Sequence, residues 1–249
     1  MEVYHKRHRD PLSGRENLWK HYFLEFLMLF LAVTAGFLSE NWREHILEHK
    51  QERQYMSSLI LDLVSDTLNI NKWARQADEK TSELDSSALI IASGRGFADG
   101  GEKLYEHGIL SLAIDLLDFN GVTSAELKNS GAMRLISRKD VEDSILTYWQ
   151  NVSELDEVKQ RFEHYRIGAR DLSFRIFDLV TDYAKSIAPH MKEGSDRKLA
   201  TDDASLLVEY GNQITLINWT FRNVYRPMAE GQKARASRLI ELIKKRYPV

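Results

Sequence analysis

One run of apolar residues constrains this chain more than any other feature. Residues 22–38 contain a single charged side chain, that of Glu25. With its flanking tryptophans, Trp19 and Trp42, the run forms a helix about 36 Å long, enough to cross the roughly 30 Å hydrocarbon core of a bilayer. Its apolar positions cover the whole helix circumference, and tryptophan is typical of the membrane–water interface. The sequence therefore predicts a transmembrane helix over residues 22–42, with the lipid bilayer around it.

Two other structures share part of this pattern. The core helix of a soluble protein is also apolar, and a signal peptide ends at small residues such as those at 33–35. However, the apolar run continues past residue 35 to Leu38, and Glu25 interrupts the apolar centre that a signal peptide requires. These observations favour an anchor that is not cleaved.

The charges beside the apolar run predict its orientation. The N-terminal side is basic, whereas the C-terminal side begins with mixed charges: Lys6, Arg7, Arg9, Arg15 and Lys20 precede the run, and Glu40, Arg43, Glu44 and Glu48 follow it. Since cytoplasmic flanks carry an excess of Lys and Arg, residues 1–21 are predicted to form a cytoplasmic basic tail. The bulk of the chain then lies outside the cytoplasm, which is the periplasm if the membrane is the inner membrane of a Gram-negative bacterium.

One face of the predicted transmembrane helix carries small residues and an acid. Glu25, Ala32, Gly36 and Ser39 recur at spacings of seven, four and three residues, so they share a face. Small residues four apart let two helices approach closely in lipid. We therefore expect a homo-oligomer or a complex with another membrane protein. Glu25 is expected either to titrate or hydrogen-bond within that complex, or to extend to the headgroups beside Lys20.

The remainder of the sequence predicts an all-α protein. Only 13 glycines and 4 prolines interrupt 249 residues, which favours long helices over many short strands. We predict a stalk helix over residues 43–78 and an elongated antiparallel helical bundle over residues 79–249. The stalk carries an apolar stripe with heptad-like spacing at Met56, Ile60, Leu63, Thr67, Ile70 and Ala74.

Further elements follow from local patterns. Thr123 and Glu126 have the spacing of a capping box, and Gly131 suits the position after a helix end. The other predicted elements are a helix over 81–93, a glycine-rich loop over 94–101, a short helix over 109–119, a helical segment over 137–187 that bends at Gly168, and a last helix from Ala204 that weakens at Pro227.

Several kinds of chemistry are disfavoured by composition. The net charge of −3 gives no broad basic field for nucleic acid, and the absence of cysteine excludes disulfides and thiolate metal sites. The motif His45-Ile-Leu-Glu48-His49 matches an inverted zinc-protease pattern, but a zinc enzyme also needs a third ligand and a sheltered cavity. A solvated stalk face is the favoured interpretation. The sequence predicts no enzyme, no cofactor, no metal site and no small-molecule substrate.

Two blocks of sequence resemble a known family. The first block comprises residues 22–25, Glu40-Asn41-Trp42-Arg43-Glu44, residues 52–55 and residues 59–66 with Asp62 and Asp66; the second comprises residues 123–131, Leu135-Ile136 and Tyr148-Trp149. In order and spacing, over roughly residues 20–165, they resemble the uncharacterised single-pass membrane proteins of Gram-negative bacteria whose N-terminal membrane helix ends in Asn-Trp. Members of that family often have glycine at the position of Ala32 and alanine at the position of Gly36. The resemblance implies topology and fold, and no reaction.

These observations lead to one expected function and two alternatives. The expected function is a membrane-anchored helical scaffold, sensor or accessory subunit that oligomerises or binds a partner. The first alternative is a subunit of a transport or energy-coupling membrane complex, with Glu25 as its protonatable group. The second is a zinc-dependent enzyme that uses His45, Glu48 and His49.

Overall fold

The protein is built of α-helices. The computed structural model describes residues 13–111, 115–187 and 199–248. Within these ranges no β-strand forms, although one isolated backbone bridge pairs Phe177 with Leu199. The predicted all-α class is confirmed.

Seven α-helices account for most of the described residues. They are α1 (Ser13–Ala92), α2 (Glu102–Ser111), α3 (Val122–Asn129), α4 (Lys139–Ile176), α5 (Leu179–Ile187), α6 (Ala204–Thr220) and α7 (Arg226–Arg246). Short 3-10 turns precede α2 and follow α3, and a π-helical turn, Phe221–Tyr225, joins α6 to α7.

The first helix is longer than the sequence pattern indicated. The separate helix predicted over residues 81–93 is wrong, because α1 continues without a break from Ser13 to Ala92. Neither glycine nor proline occurs between Ala77 and Leu84, and both of these side chains are buried in the core. The helix therefore keeps a buried face through the segment where a break was expected.

Contacts divide the chain into two compact units between Gln54 and Tyr55. In the first unit, residues 18–54 are helical and almost every side chain is exposed. The second unit begins at Tyr55 and holds two clusters of buried apolar side chains. The predicted domain boundaries at residues 21, 42 and 78 stay predictions.

The second unit is packed in two apolar layers. One cluster joins Met56, Leu59 and Leu63 of α1 to side chains of α3, α4 and α7. The other surrounds a group of stacked and tilted aromatic rings from α1, α4 and the π-helical turn, namely Trp73, Phe162, Phe221 and Tyr225. The heptad-like stripe predicted on α1 is therefore core, with Met56, Leu63 and Ile70 buried.

Helix α4 runs antiparallel to α6 and α7. Asp140 near the start of α4 pairs with Arg246 at the end of α7, with 2.6 Å between the charged atoms. Further along α4, the Tyr148 carbonyl accepts a hydrogen bond from Gln232, and Phe162 packs on Phe221. Residues further along α4 thus contact residues earlier in the segment from α6 to α7, as expected for an antiparallel bundle.

The segment around residues 115–119 is not helical. The helix predicted over 109–119 is wrong from residue 115 onward: residues 109–111 belong to α2, residues 112–114 lie outside the described residues, and residues 115–121 adopt irregular structure. Side chains from the helices bind its backbone: Trp73 Nε1 donates to the Asp115 carbonyl at 2.7 Å, and the Leu117 N–H donates to the Tyr225 hydroxyl at 3.0 Å. These bonds replace those of a helix.

Helix ends agree with the local sequence at some positions and not at others. Gly131 follows the end of α3 with a φ of +68°, so its predicted place there is confirmed. The capping box is wrong, because α3 begins at Val122 and Thr123 lies inside it without capping. Asp203 caps α6 through hydrogen bonds from Ser205 and Leu206, whose backbone N–H groups would otherwise lack partners.

The helical segment predicted over residues 137–187 is divided at residues 177–178. Helix α4 passes through Gly168 without ending and stops at Ile176, and α5 begins at Leu179. Pro227 lies in the first turn of α7 and is preceded directly by the π-helical turn. The regular α-helical hydrogen bonding is thus interrupted beside Pro227, where the sequence predicted a weak point, and proline, which has no N–H to donate, is tolerated in a first helical turn.

Candidate functional sites

The first candidate site is the apolar segment, residues 18–42 of α1. Within the described residues, α1 is the one helix long and apolar enough to cross a membrane, and its most apolar stretch is entirely unburied. Its large exposed side chains are Leu18, Trp19, Tyr22, Phe23, Leu24, Phe26, Met28, Leu29, Phe30, Leu31, Val33, Phe37, Leu38 and Trp42. Each such side chain is worth about 1.5–3 kcal/mol when it leaves water, so this helix is a candidate membrane span.

The structure places every predicted site residue of this segment on one helix. Glu25, Ala32, Gly36 and Ser39 are exposed and recur at helical spacing along one face of α1. A Cβ atom placed on Gly36 would meet no atom within 4 Å, so this glycine serves no packing inside the chain. That surface is open to another helix, and its role in association stays a prediction.

The histidine motif lies on the exposed part of α1. The rings of His45 and His49 lie edge to face with 4.4 Å between their centres, and Nδ1 of His49 lies 3.1 Å from Oε2 of Glu52. Glu48 is exposed. Within the part of the chain that the structure describes, no group of three or more His, Cys, Asp or Glu side chains is placed to hold a metal ion. The third ligand that zinc requires is thus missing from these positions.

The second candidate site is a group of polar residues in the second unit, here called the acid cluster: Asp62, Asp66, Asn120, Thr123, Tyr148 and Gln232, all of which are buried except Asn120. Asp66 lies at its centre. Its Oδ1 accepts the Asn120 backbone N–H at 2.7 Å, and its Oδ2 accepts the Tyr148 hydroxyl at 2.6 Å. One turn earlier on α1, Oδ2 of Asp62 accepts the Thr123 backbone N–H at 3.0 Å. Two carboxylates of α1 therefore bind the segment that leads into α3.

Gln232 brings α7 into the acid cluster. Its side chain is fully buried, and its Nε2 donates to the Tyr148 carbonyl at 3.0 Å. The same amide also interacts with the Tyr148 hydroxyl. Among the described residues, its Oε1 meets no hydrogen-bond donor. Because an unpaired buried acceptor costs about 1–3 kcal/mol, this atom marks a place where the hydrogen-bond network is incomplete.

The acid cluster is electrostatically unusual. Asp66 is 1% exposed, and burial raises the pKa of its carboxyl above the ordinary value, with the charge of Asp62 adding to the effect. The bonds from Asn120 and Tyr148 oppose this shift, because they stabilise the ionised form. Burial, reinforced by the Asp66 charge, also raises the pKa of Tyr148, so its hydroxyl stays a neutral donor.

The sequence patterns did not identify the acid cluster as a site. Asp62, Asp66 and Tyr148 stand out in the sequence only within the two blocks that carry the family resemblance, and Thr123 also within a predicted capping box; the structure brings these two blocks together. A usable signal was present: both aspartates fall within the spacing of the buried apolar stripe of α1, where a solvated acid is not expected.

Comparison with known proteins adds no assignment. The chain matches no protein-family model, and neither a curated protein nor a solved structure is significantly similar to it. The resemblance to single-pass membrane proteins therefore stays a prediction, and function must be inferred from these two sites.

Proposed function

We propose that the protein is a single-pass membrane protein whose helical domain acts as a scaffold, sensor or accessory subunit. The exposed apolar segment of α1 carries this proposal. A soluble protein rarely exposes a contiguous apolar patch of more than a few hundred Å², whereas here 14 large apolar side chains between residues 18 and 42 are exposed together. A bilayer would cover all of them.

The flanks of the segment support one orientation. The five basic residues before it favour a cytoplasmic N-terminus, and the mixed charges after it do not compete. Residues 43–249 are then displayed on the other side of the inner membrane, in the periplasm of a Gram-negative cell. The acid cluster and the two core layers belong to that displayed domain.

A matched pair of fusions tests the orientation. A periplasm-dependent phosphatase attached after residue 249 is expected to be active, whereas a fluorescent protein that folds only in the cytoplasm is expected to stay dark there. Protease added to spheroplasts should remove the domain and spare an N-terminal tag. The opposite pattern for both fusions would reverse the proposed topology, and loss of residues 1–35 from the mature chain would make the segment a signal peptide.

Self-association is proposed to use the small-residue face of α1. Replacing Ala32 and Gly36 together with leucine fills the space that close helix approach requires. We expect the mass per particle in mild detergent to fall toward the 28.9 kDa of one chain, and crosslinking in membranes to decrease several-fold. Thr34→Leu is the control, because Thr34 lies two residues from both positions and therefore about 200° around the helix. If the double variant keeps the wild-type mass, this face is not the interface.

A further inference from the structure

We propose that the acid cluster is a proton-controlled latch that closes on acidification and holds the segment at residues 115–123 against α1. Opening the latch would free the Asn120 and Thr123 backbone groups from Asp66 and Asp62. The latch itself requires only the geometry of the second unit. Its use as a sensor rests on the proposed function, because a domain outside the cytoplasm meets the pH of the surroundings.

The groups around Asp66 make it the switching element. Neutral donors face it from the 120 loop and from α4, namely the Asn120 N–H and the Tyr148 hydroxyl. The charged group that acts on it is another acid, Asp62 on α1, whose own carboxylate binds Thr123. Among the described residues no basic side chain is one of the groups that act on Asp66. A buried carboxylate beside a second one, without a cation, favours the protonated form.

The hydrogen-bond network around Asp66 and Tyr148 can accommodate an added proton. When Asp66 takes up one proton from solvent, its carboxyl becomes a donor while its other oxygen keeps the bond from Asn120. The buried Oε1 of Gln232 is an acceptor without a partner, on a side chain that already contacts Tyr148. It can take this hydrogen bond through the Tyr148 hydroxyl or a water molecule. Protonation thus relieves the buried charge and leaves the Tyr148 hydroxyl hydrogen, which now bonds Asp66, free to turn toward another acceptor.

The sign of the pH effect follows from the burial of Asp66 near the Asp62 carboxylate, which raises the pKa of Asp66. In the open latch the carboxyl meets water and titrates near its ordinary value of about 4, whereas in the closed latch it binds the proton more tightly. Proton binding therefore stabilises the closed state most at a pH below the ordinary pKa. This stabilisation is lost as the pH rises through the raised pKa of Asp66 in the closed state. Acid closes the latch, and neutral pH loosens it.

Hydrogen exchange on the purified full chain in detergent tests the latch. After correction for the intrinsic exchange rate, we expect the amides of residues 117–123 to be several-fold more protected at acidic than at neutral pH. Asp66→Asn, which is neutral at every pH, should give the acid level of protection at pH 7.5 and remove the pH dependence. Asp85→Asn is the control, since Asp85 is a half-exposed acid of the same helix that pairs with Arg222.

Each outcome bears on the proposal. If protection of this segment in the wild type does not rise on acidification, or falls, the latch is refuted whether or not the Asp66 variant folds. If Asp66→Asn keeps the wild-type pH dependence, another group controls the segment. Because these measurements use protein in detergent, a wrong membrane topology would leave them unchanged, so the two proposals can fail separately.

Discussion

Replacing Leu29 and Leu31 with arginine is expected to remove the protein from the membrane. Both side chains lie at the middle of the apolar segment, where they are 65% and 55% exposed. Exchanging leucine for arginine at the centre of a transmembrane helix costs about 3 kcal/mol or more, so two exchanges reduce insertion by roughly four orders of magnitude. After fractionation, the double variant should appear in the soluble or aggregated fraction, whereas the wild type should resist an alkaline wash of the membranes.

The same helix offers a matched control. Leu61 and Leu68 also lie exposed on α1, at 70% and 62%, but beyond the segment that we assign to the bilayer. Arginine at both of these positions should leave the protein in the membrane fraction. Release of both double variants would mean that charge anywhere on α1 disrupts the protein, and retention of the Leu29 and Leu31 variant would contradict a membrane span at this position.

The core of the second unit was largely foreseeable from periodicity. The stripe through Met56, Leu63 and Ile70 repeats at three- and four-residue steps, and the structure buries all three side chains. The prediction succeeds because the apolar positions of an amphipathic helix identify its buried face, whichever element covers that face. The same local argument found Gly131, whose positive φ a side chain would resist.

The acid cluster was not foreseeable in the same way, because its bonds join distant parts of the chain. Asp66 and its donor Asn120 are 54 positions apart, and Tyr148 is 82 positions from Asp66. A single sequence shows an aspartate on a helix but not the backbone N–H groups that the fold will bring to it. Thr123 illustrates the point: its spacing indicated a helix cap, whereas its own N–H binds Asp62.

The end of a helix was predicted where the chemistry of one residue decides it and missed where tertiary contacts decide it. The last helix was predicted to start at Ala204, which is the first residue of α6, and its predicted weak point at Pro227 lies next to the π-helical turn. In contrast, residues 115–119 have a helical pattern yet stay irregular, because Trp73 and Tyr225 bind their backbone. Those two rings belong to elements that lie 42 and 108 positions from the bonds they make.

Phe162→Ala is expected to cause the largest loss of stability in the second unit. The ring is fully buried, stacks on Tyr225 with 6.0 Å between ring centres, and packs on Phe221 at 5.9 Å. Truncating a buried phenylalanine costs about 3–5 kcal/mol, which is a large part of the roughly 5–15 kcal/mol that holds a domain folded. The melting temperature of the domain, followed by near-ultraviolet circular dichroism of the full chain in detergent, should fall by roughly 6–20 °C.

A second phenylalanine of the same helix separates this effect from a general loss of helix stability. Phe174 also lies on α4 but is 58% exposed, so Phe174→Ala removes the same atoms without leaving a cavity. Its melting temperature should stay within about 2 °C of the wild type, since surface substitutions change stability by about 0.5 kcal/mol or less. Equal losses in both variants would show that Phe162 is not the centre of the core. Loss confined to Phe162→Ala would support the aromatic group as the element that joins α1, α4 and the π-helical turn and so positions the loop that the acid cluster binds.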